Sequence, residues 1–305
     1  MVNGKKIFKK DHFVRLHCFI AKAYWFVKSS LTLDIELLRV SRWFLFRKFQ
    51  FIFVKYLEIL CLSLGIHKFK LGESFINLFG RKVFYDSPYG IAGYQSMLVH
   101  HQKMILENNI TDVHTVLDIG ANVGFFSMMM RDLFPDVSIY ALEPIPQIFK
   151  CLKYNLSGNK DNVFNLAISD KNGEENMSFN EHESAISHVV DTNDLVSYNV
   201  IRVKTRSLDD FILEQKIENI DVLKIDTENY EAKVLEGAKG TLKIVKYLHI
   251  EIGVKGNNNY TFAQINSLLF SEEYNFQLLS FRNFTDKGDG PIPVGDFLYR
   301  NLMVK

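Results

Sequence analysis

Carboxylates recur at the ends of apolar runs through the middle of this 305-residue chain. Asp118 follows "TVL", Glu143 closes "SIYALE", Asp226 closes "DVLKID", and Glu251 stands near the end of "YLHIEIG". A carboxylate at a strand end can take the proton of a hydroxyl, orient that hydroxyl, or accept two hydrogen bonds from a vicinal diol. Asp226 is the first candidate for such a base or orienting group, Glu228 the second, and Glu251 could orient an acceptor. Glu231 reads as a helix-start acid favoured by the dipole. His249 lies two residues before Glu251, so on a strand the two share a face; it reads as an interior or edge histidine. His100 and His101 read as exposed helix residues without a role. Asp226, Glu228 and Glu251 could collect a divalent cation, but no dedicated spacing supports one and no metal ligand is assigned. No Ser-His-Asp or Cys-His arrangement is readable, and nothing suggests nucleic-acid recognition.

The stretch "LDIGANVGFF" removes side chains where a strand hands over to a helix. Gly120 and Gly124 allow a sharp turn or a close approach to a ligand. In an open α/β sheet such a loop lies at the carboxyl edge, where ligands bind. The dinucleotide pattern G-x-G-x-x-G is absent. Asp118 would repel a pyrophosphate but could help hold a cationic amino-acid group, directly or through water. Glu143, ending the next strand, can accept hydrogen bonds from both hydroxyls of a ribose. The combination suits S-adenosylmethionine better than NAD.

Elements that could position these groups alternate along the chain. Strand-like runs at 115–120, 138–143, 162–169, 200–205, 221–226 and 247–253 are separated by helix-like runs near 123–134, 146–157, 230–243 and 260–270, and a short helix is opened by Ser207 and Asp209. Such alternation predicts a doubly wound α/β fold, its sheet mostly parallel with helices on both faces. "NFQLLSF" and "FLYRNLMV" could pair antiparallel at one edge. "FINLFGRKVFYDSPYG" reads as a short hairpin and "YQSMLVHHQKMILENN" as a helix. The polar segment 180–191 and the loops after the fourth and fifth strands are expected to line an acceptor pocket.

The first 70 residues differ from the rest. They carry 14 Lys/Arg against 4 Asp/Glu, whereas residues 71–305 carry 22 against 31. This predicts two parts, a basic, aromatic helical accessory segment at 1–70 and a catalytic domain at 71–305. On a helix over 43–60, Arg47, Lys48, Lys55 and Glu58 share an arc of roughly 100°, and apolar side chains fill the remainder. Two readings follow: helices that cap the body through a shared core, or a membrane-surface segment with aromatics below anionic head groups. No apolar run reaches the roughly 18–20 residues of a spanning helix, and no signal peptide is expected. Three scattered cysteines suit a reducing compartment. The expected location is cytoplasmic, with peripheral contact on the inner membrane surface as the alternative.

The blocks "VLDIGANVGFFS", "YALEPIP", "NLAISDKNGE" and "VLKIDTENYEAKVLEGA", spanning roughly 113–253, together resemble the FkbM-type family of S-adenosylmethionine-dependent methyltransferases. The resemblance implies a seven-stranded methyltransferase sheet and transfer of a methyl group to a hydroxyl, of a sugar on a glycan or glycolipid. It implies that Asp118 through Gly124, including Gly120 and Asn122, cradles the methionine end of the cofactor. Glu143 would then bind the ribose, and Leu166 and Ala167 would lie near the adenine. Asn229 stands where the family pattern has glycine, and asparagine tolerates a positive φ. Two other classes compete: a nicotinamide-dependent oxidoreductase, disfavoured by the missing glycine signature, and a non-catalytic membrane-surface scaffold that retains the fold.

Overall fold

A computed structural model describes residues 30–39, 45–64, 66, 70–71, 73–78, 80–85, 90–180, 183–189, 199–228, 230–253, 262–285 and 294–305. Two helices, α1 (30–39) and α2 (Leu45–Ser63), come first. The expected hairpin follows as β1 (Phe75–Leu78) and β2 (Arg81–Phe84). The next helix is α3 (Gly90–Ser96), running through a π turn at Met97–His101 into α4 (Gln102–Glu107).

The central sheet begins with β3 (Thr115–Ile119), α5 (Phe125–Leu133), β4 (Ser138–Leu142), α6 (Pro146–Asn155) and β5 (Asp161–Phe164). A second sheet is formed by β6 (Ala167–Ser169), β7 (Gly173–Asn180), β8 (Glu183–Val189) and β9 (Asn199–Ser207). The chain then returns through α7 (Leu208–Gln215), β10 (Ile220–Ile225), α8 (Glu231–Glu236), β11 (Val245–Gly253), α9 (Phe262–Leu269), β12 (Phe276–Thr285) and β13 (Val294–Asn301).

The seven-stranded sheet has the order β12-β13-β11-β10-β3-β4-β5. The run from β11 to β5 is parallel, while β13 is antiparallel to both β11 and β12. The chain moves outward from β3 to β5 and then resumes on the other side of β3 with β10. The loops after β3 and β10 therefore diverge over a crevice at the carboxyl edge. Both faces of the sheet are covered, so its strands read as apolar runs rather than alternating ones. Val116, Val222 and Leu298 pack with α5 and α6, whereas Leu117, Leu223 and Leu248 pack with α7, α8 and α9.

Three local expectations change. The run 162–169 splits, because β5 ends in the central sheet and β6 starts in the second one. The expected helix 230–243 stops at Gly237, where an added Cβ would lie 2.1 Å from the Ser169 carbonyl oxygen; residues 241–243 form a separate short turn. Part of the polar segment is β-hairpin: β7 and β8 pair antiparallel, and β7 also pairs with β9. Its charges fooled the pattern because one face stays in water, where Arg202 pairs with Glu174 at 2.7 Å. Ser207 caps α7 as expected, its hydroxyl accepting from the Asp210 N–H.

The front helices are inverted. The inward positions of α2 are Lys48, Phe51, Lys55 and Glu58, spaced as one helical face, and all four are buried. Lys48 donates to the Leu38 carbonyl at 2.8 Å. Lys55 donates to Ser30 and Gln95 at 2.9 Å each and pairs with Asp34. The Tyr85 hydroxyl donates to Glu58. Leu37 and Phe51 join the same buried cluster as Phe126 and Val116. Lys48 and Lys55 are thus turned to protein, not toward any head group; Arg47 is exposed. Among the described residues no helix is long and apolar enough to cross a membrane.

Candidate active site

Strand register builds the site in two steps. Asp118 of β3 is paired with Lys224 of β10, and Lys224 with His249 of β11. Two residues further on, on the same face, come Asp226 after β10 and Glu251 of β11, the latter paired with Asp296 of β13. Lys224 is the hub. It is buried, with Nζ 3.1 Å from Asp226, 3.4 Å from Asp118 and 3.4 Å from the Gly120 carbonyl oxygen. Burial alone would lower its pKa, but the charges of Asp226 and Asp118 outweigh it and hold the ammonium above its ordinary value.

The glycine loop closes over this pair. Gly120 has φ +71, and an added Cβ would lie 1.8 Å from the Asp226 backbone oxygen. Glycine is needed there so that the ends of β3 and β10 can meet. Gly124 has φ +89; its missing Cβ leaves room for Leu152 and Leu156 of α6 and the following turn, so it packs the loop rather than facing the cleft. Asn122 adopts φ 51, and its N–H donates to Glu143 Oε2 at 3.1 Å, while the Ile145 N–H donates to Oε1 at 2.9 Å. Burial raises Glu143 to about 7, although these two bonds and Lys224 act in the opposite sense.

The crevice is a cleft with about 780 Å³ of empty space, part of it open to solvent. Gly120, Asn122, Glu143, Leu166, Ala167, Asp226 and Glu228 all line it. Asp118 does not: its carboxylate lies beneath the loop, accepting from the Ser127 hydroxyl at 2.6 Å and pairing with Lys224. One wall is apolar, with Ile145, Ile148, Ile168, Met177 and Val203. This wall suits an adenine ring, Glu143 suits a ribose diol, and the acidic end suits a cationic sulfonium and amine. The side chains present fit S-adenosylmethionine.

At the acidic end, one carboxylate oxygen from each of Asp226, Glu228 and Glu251 lies within 4.8 Å of the others, all three being half-buried; Asp226 and Glu228 line the cleft, and Glu251 is not among its lining residues. Burial first, and then the charges of Asp226, Glu228, Asp296 and Glu231, push Glu251 up to about 10. Glu228 sits at φ 52, a conformation costly for a non-glycine residue; the neighbouring Asn229 lies outside the described residues. Glu231 folds back on the loop, accepting from the Thr227 N–H and hydroxyl at 2.9 and 3.1 Å. Its role is to shape the turn, as a helix-start acid does. Just before the expected acceptor segment 180–191, whose side chains lie outside the described residues, β7 contributes Glu175 and Met177 to the cleft; the loop after β11 also lies outside the described residues.

Several site residues escaped the sequence reading. Lys224 is one, although a lysine inside "DVLKID" has to find a partner if the strand is central. His101 is another: it is buried, not exposed, because the π turn directs it inward, with Nδ1 3.0 Å from His249 Nε2 and Nε2 3.7 Å from Asp296. His249 is buried as expected, and burial together with the nearby His101 and Lys224 charges keeps it well below its ordinary pKa, hence neutral. Tyr230 also lines the cleft, bonded to Glu175 and Ser169.

Comparison with known proteins agrees with this geometry. Residues 118–278, just over half of the chain, match the family described as "Methyltransferase FkbM domain". The chain is similar to the 2-O-methyltransferase NoeI of Sinorhizobium fredii, with 29% identity over 170 residues, covering 51% of this chain and 69% of that protein. It is similar to the hexuronic acid methyltransferase AglP of Haloferax volcanii at 24% identity, covering 49% of this chain and 60% of the relative. A crystal structure of a methyltransferase FkbM from Methylobacillus flagellatus overlaps at a TM-score of 0.43 and 12% identity, over 75% of this chain and 56% of that one. With the match spanning the glycine loop, β4, β10 and β11, the chain belongs to the FkbM-type family of S-adenosylmethionine-dependent methyltransferases.

Proposed function

We propose that this protein methylates a hydroxyl of a sugar, on a glycan or glycolipid. The observation that carries the reading is the cluster of Asp226, Glu228 and Glu251, whose carboxylate oxygens lie within 4.8 Å of one another where Asp226 and Glu228 line the cofactor cleft. S-adenosylmethionine, when bound, supplies a methyl group already activated by a sulfonium. The chain then has to align the acceptor oxygen and remove its proton. Asp226 lines the cleft with one oxygen held by Lys224, which fixes its position, and it takes the hydroxyl proton. Glu251 keeps its own proton at neutral pH and donates a hydrogen bond to a second acceptor oxygen, a division of labour set by environment. Glu228 faces the same space and orients a neighbouring hydroxyl. A vicinal diol satisfies all three better than an isolated alcohol. The names of two relatives, a 2-O-methyltransferase and a hexuronic acid methyltransferase, support an acceptor of this kind.

The test is methyl transfer from labelled S-adenosylmethionine to a panel of hexuronic acids, neutral sugars, simple alcohols and amines. Sugar hydroxyls should be methylated, and Asp226→Asn should lower turnover roughly 10²–10⁴-fold while changing cofactor affinity far less. Methylation of amines alone, or an Asp226→Asn enzyme with ordinary turnover, would overturn the assignment.

A further inference from the structure

The charged residues that α2 turns inward leave its opposite face apolar and exposed. Phe46, Phe49, Phe53, Leu57, Leu60 and Leu64 follow one another at helical spacing, and their exposures run from 48% to 78%. Leu31 and Ile35, one turn apart on α1, are exposed by half as well. A stripe of this kind along a helix about 28 Å long is far from the scattered exposed apolar residues of ordinary surfaces. Lys48, Lys55 and Glu58 could have faced water on a helix rotated by half a turn. Their burial among Leu38, Ser30, Asp34, Gln95 and Tyr85 fixes the opposite orientation.

We propose that this stripe is a lipid-docking face, which seats the protein on an anionic bilayer surface without crossing it. Charge selects this occupant over the others. The stripe belongs to a 70-residue segment whose sequence carries 14 Lys/Arg against 4 Asp/Glu; of these, Lys48, Lys55 and Glu58 are buried away from the stripe, while Arg39, 3.8 Å from Glu36, and Arg47 are exposed on the two helices. A second copy would bring the same cations against these and be repelled. Anionic head groups complement them, and aromatic side chains between such cations enter the boundary below the head groups. The remainder of the chain, with 22 Lys/Arg against 31 Asp/Glu, is repelled by the same surface. The molecule is thereby oriented with α2 toward the lipid. With no described helix both long and apolar enough to span, attachment is one-sided. The inference is independent of the acceptor and of the assigned catalytic residues.

The experiment compares the full chain with a Phe46→Ser/Phe49→Ser/Phe53→Ser variant. Both are sedimented with vesicles of phosphatidylcholine alone and of phosphatidylcholine with phosphatidylglycerol. The parent should partition onto the anionic vesicles and much less onto the neutral ones, and salt should release it. The variant should lose at least about ten-fold in partitioning, with its Tm and S-adenosylmethionine affinity unchanged, because the three side chains point away from the core. Equal partitioning of parent and variant, or none by the parent, overturns the proposal. So does a lipid-free parent dimer that the variant dissociates, which would make the stripe a self-interface. A clear drop in the Tm of the variant also overturns it, since the stripe would then be packed against the chain itself.

Discussion

Two lysines are buried in this molecule under different terms. Lys224, in the central sheet, lies between Asp118 and Asp226, two carboxylates contributed by neighbouring strands. Lys55, in α2, meets one carboxylate, Asp34, and the neutral oxygens of Ser30 and Gln95. Burial lowers the pKa of both. Two anions reverse that at Lys224, which ends above its ordinary value; one anion does not at Lys55, which ends below it. The anions also differ in what else holds them. Asp34 accepts from the Tyr56 hydroxyl and from Gln95 Nε2, both at 2.7 Å. Asp226 has no hydrogen-bond donor besides Lys224 among those described. The sheet lysine is therefore the counter-ion that keeps two strand ends together, and the helix lysine is one member of a network with other donors.

The largest difference should appear on removing the charge. Lys224→Met leaves Asp118 and Asp226 without their cation and should destabilise the protein by about 3–5 kcal/mol, the scale for breaking a buried pair. Chemical denaturation of parent and variant measures it. Lys55→Met removes a charge already disfavoured by its surroundings and leaves Asp34 with two donors. It should cost only about 1–2 kcal/mol, the scale of one or two hydrogen bonds. Equal losses would show that the number of opposing charges does not decide the matter.

The same contrast explains what the sequence could reveal. The cofactor cleft is built from contiguous pieces: the glycine loop, Glu143 at a strand end, and Asp226 at another. Each carries a local signal, so the parallel sheet, the crevice and seven of the lining residues could be placed from spacing and resemblance. Lys224 and His101 depend on which strand lies beside which, and on a π turn that no residue pattern marks. Neither could be assigned from its own neighbours in the chain. For α2 the periodicity was legible but its direction was not. Helices normally turn charge to water; here the oxygens of Ser30, Asp34, Leu38 and Gln95 and the Tyr85 hydroxyl reverse that. The second sheet was hidden for a simpler reason: "GEENMSFN" has too many charged residues to look like a strand until β9 supplies the pairing.

The last effect, read in cofactor binding rather than in stability alone, concerns Glu143, which takes the comparison to a buried carboxylate. Burial raises it to about 7, with Lys224 only partly opposing this. Its ordinary value in the unfolded chain is near 4.5. Between those two values the folded protein holds a proton that the unfolded chain has released. Stability from this group is therefore greatest below about pH 4.5 and declines as pH rises to about 7. Glu231, also raised to about 7 by burial, acts in the same sense. Cofactor binding should show the opposite trend. A ribose diol donates best to the ionised carboxylate, so binding releases a proton, and affinity should rise by up to about ten-fold between pH 6 and pH 8. Calorimetry in buffers of different ionisation enthalpy would detect that proton directly. Glu143→Gln should bind S-adenosylmethionine more weakly, by about 1.5–3 kcal/mol at pH 8, the scale of hydrogen bonds to a charged group. It should also bind with little dependence on pH. A parent protein whose affinity is flat over this range, with no proton released, would mean that Glu143 is not the ribose acceptor.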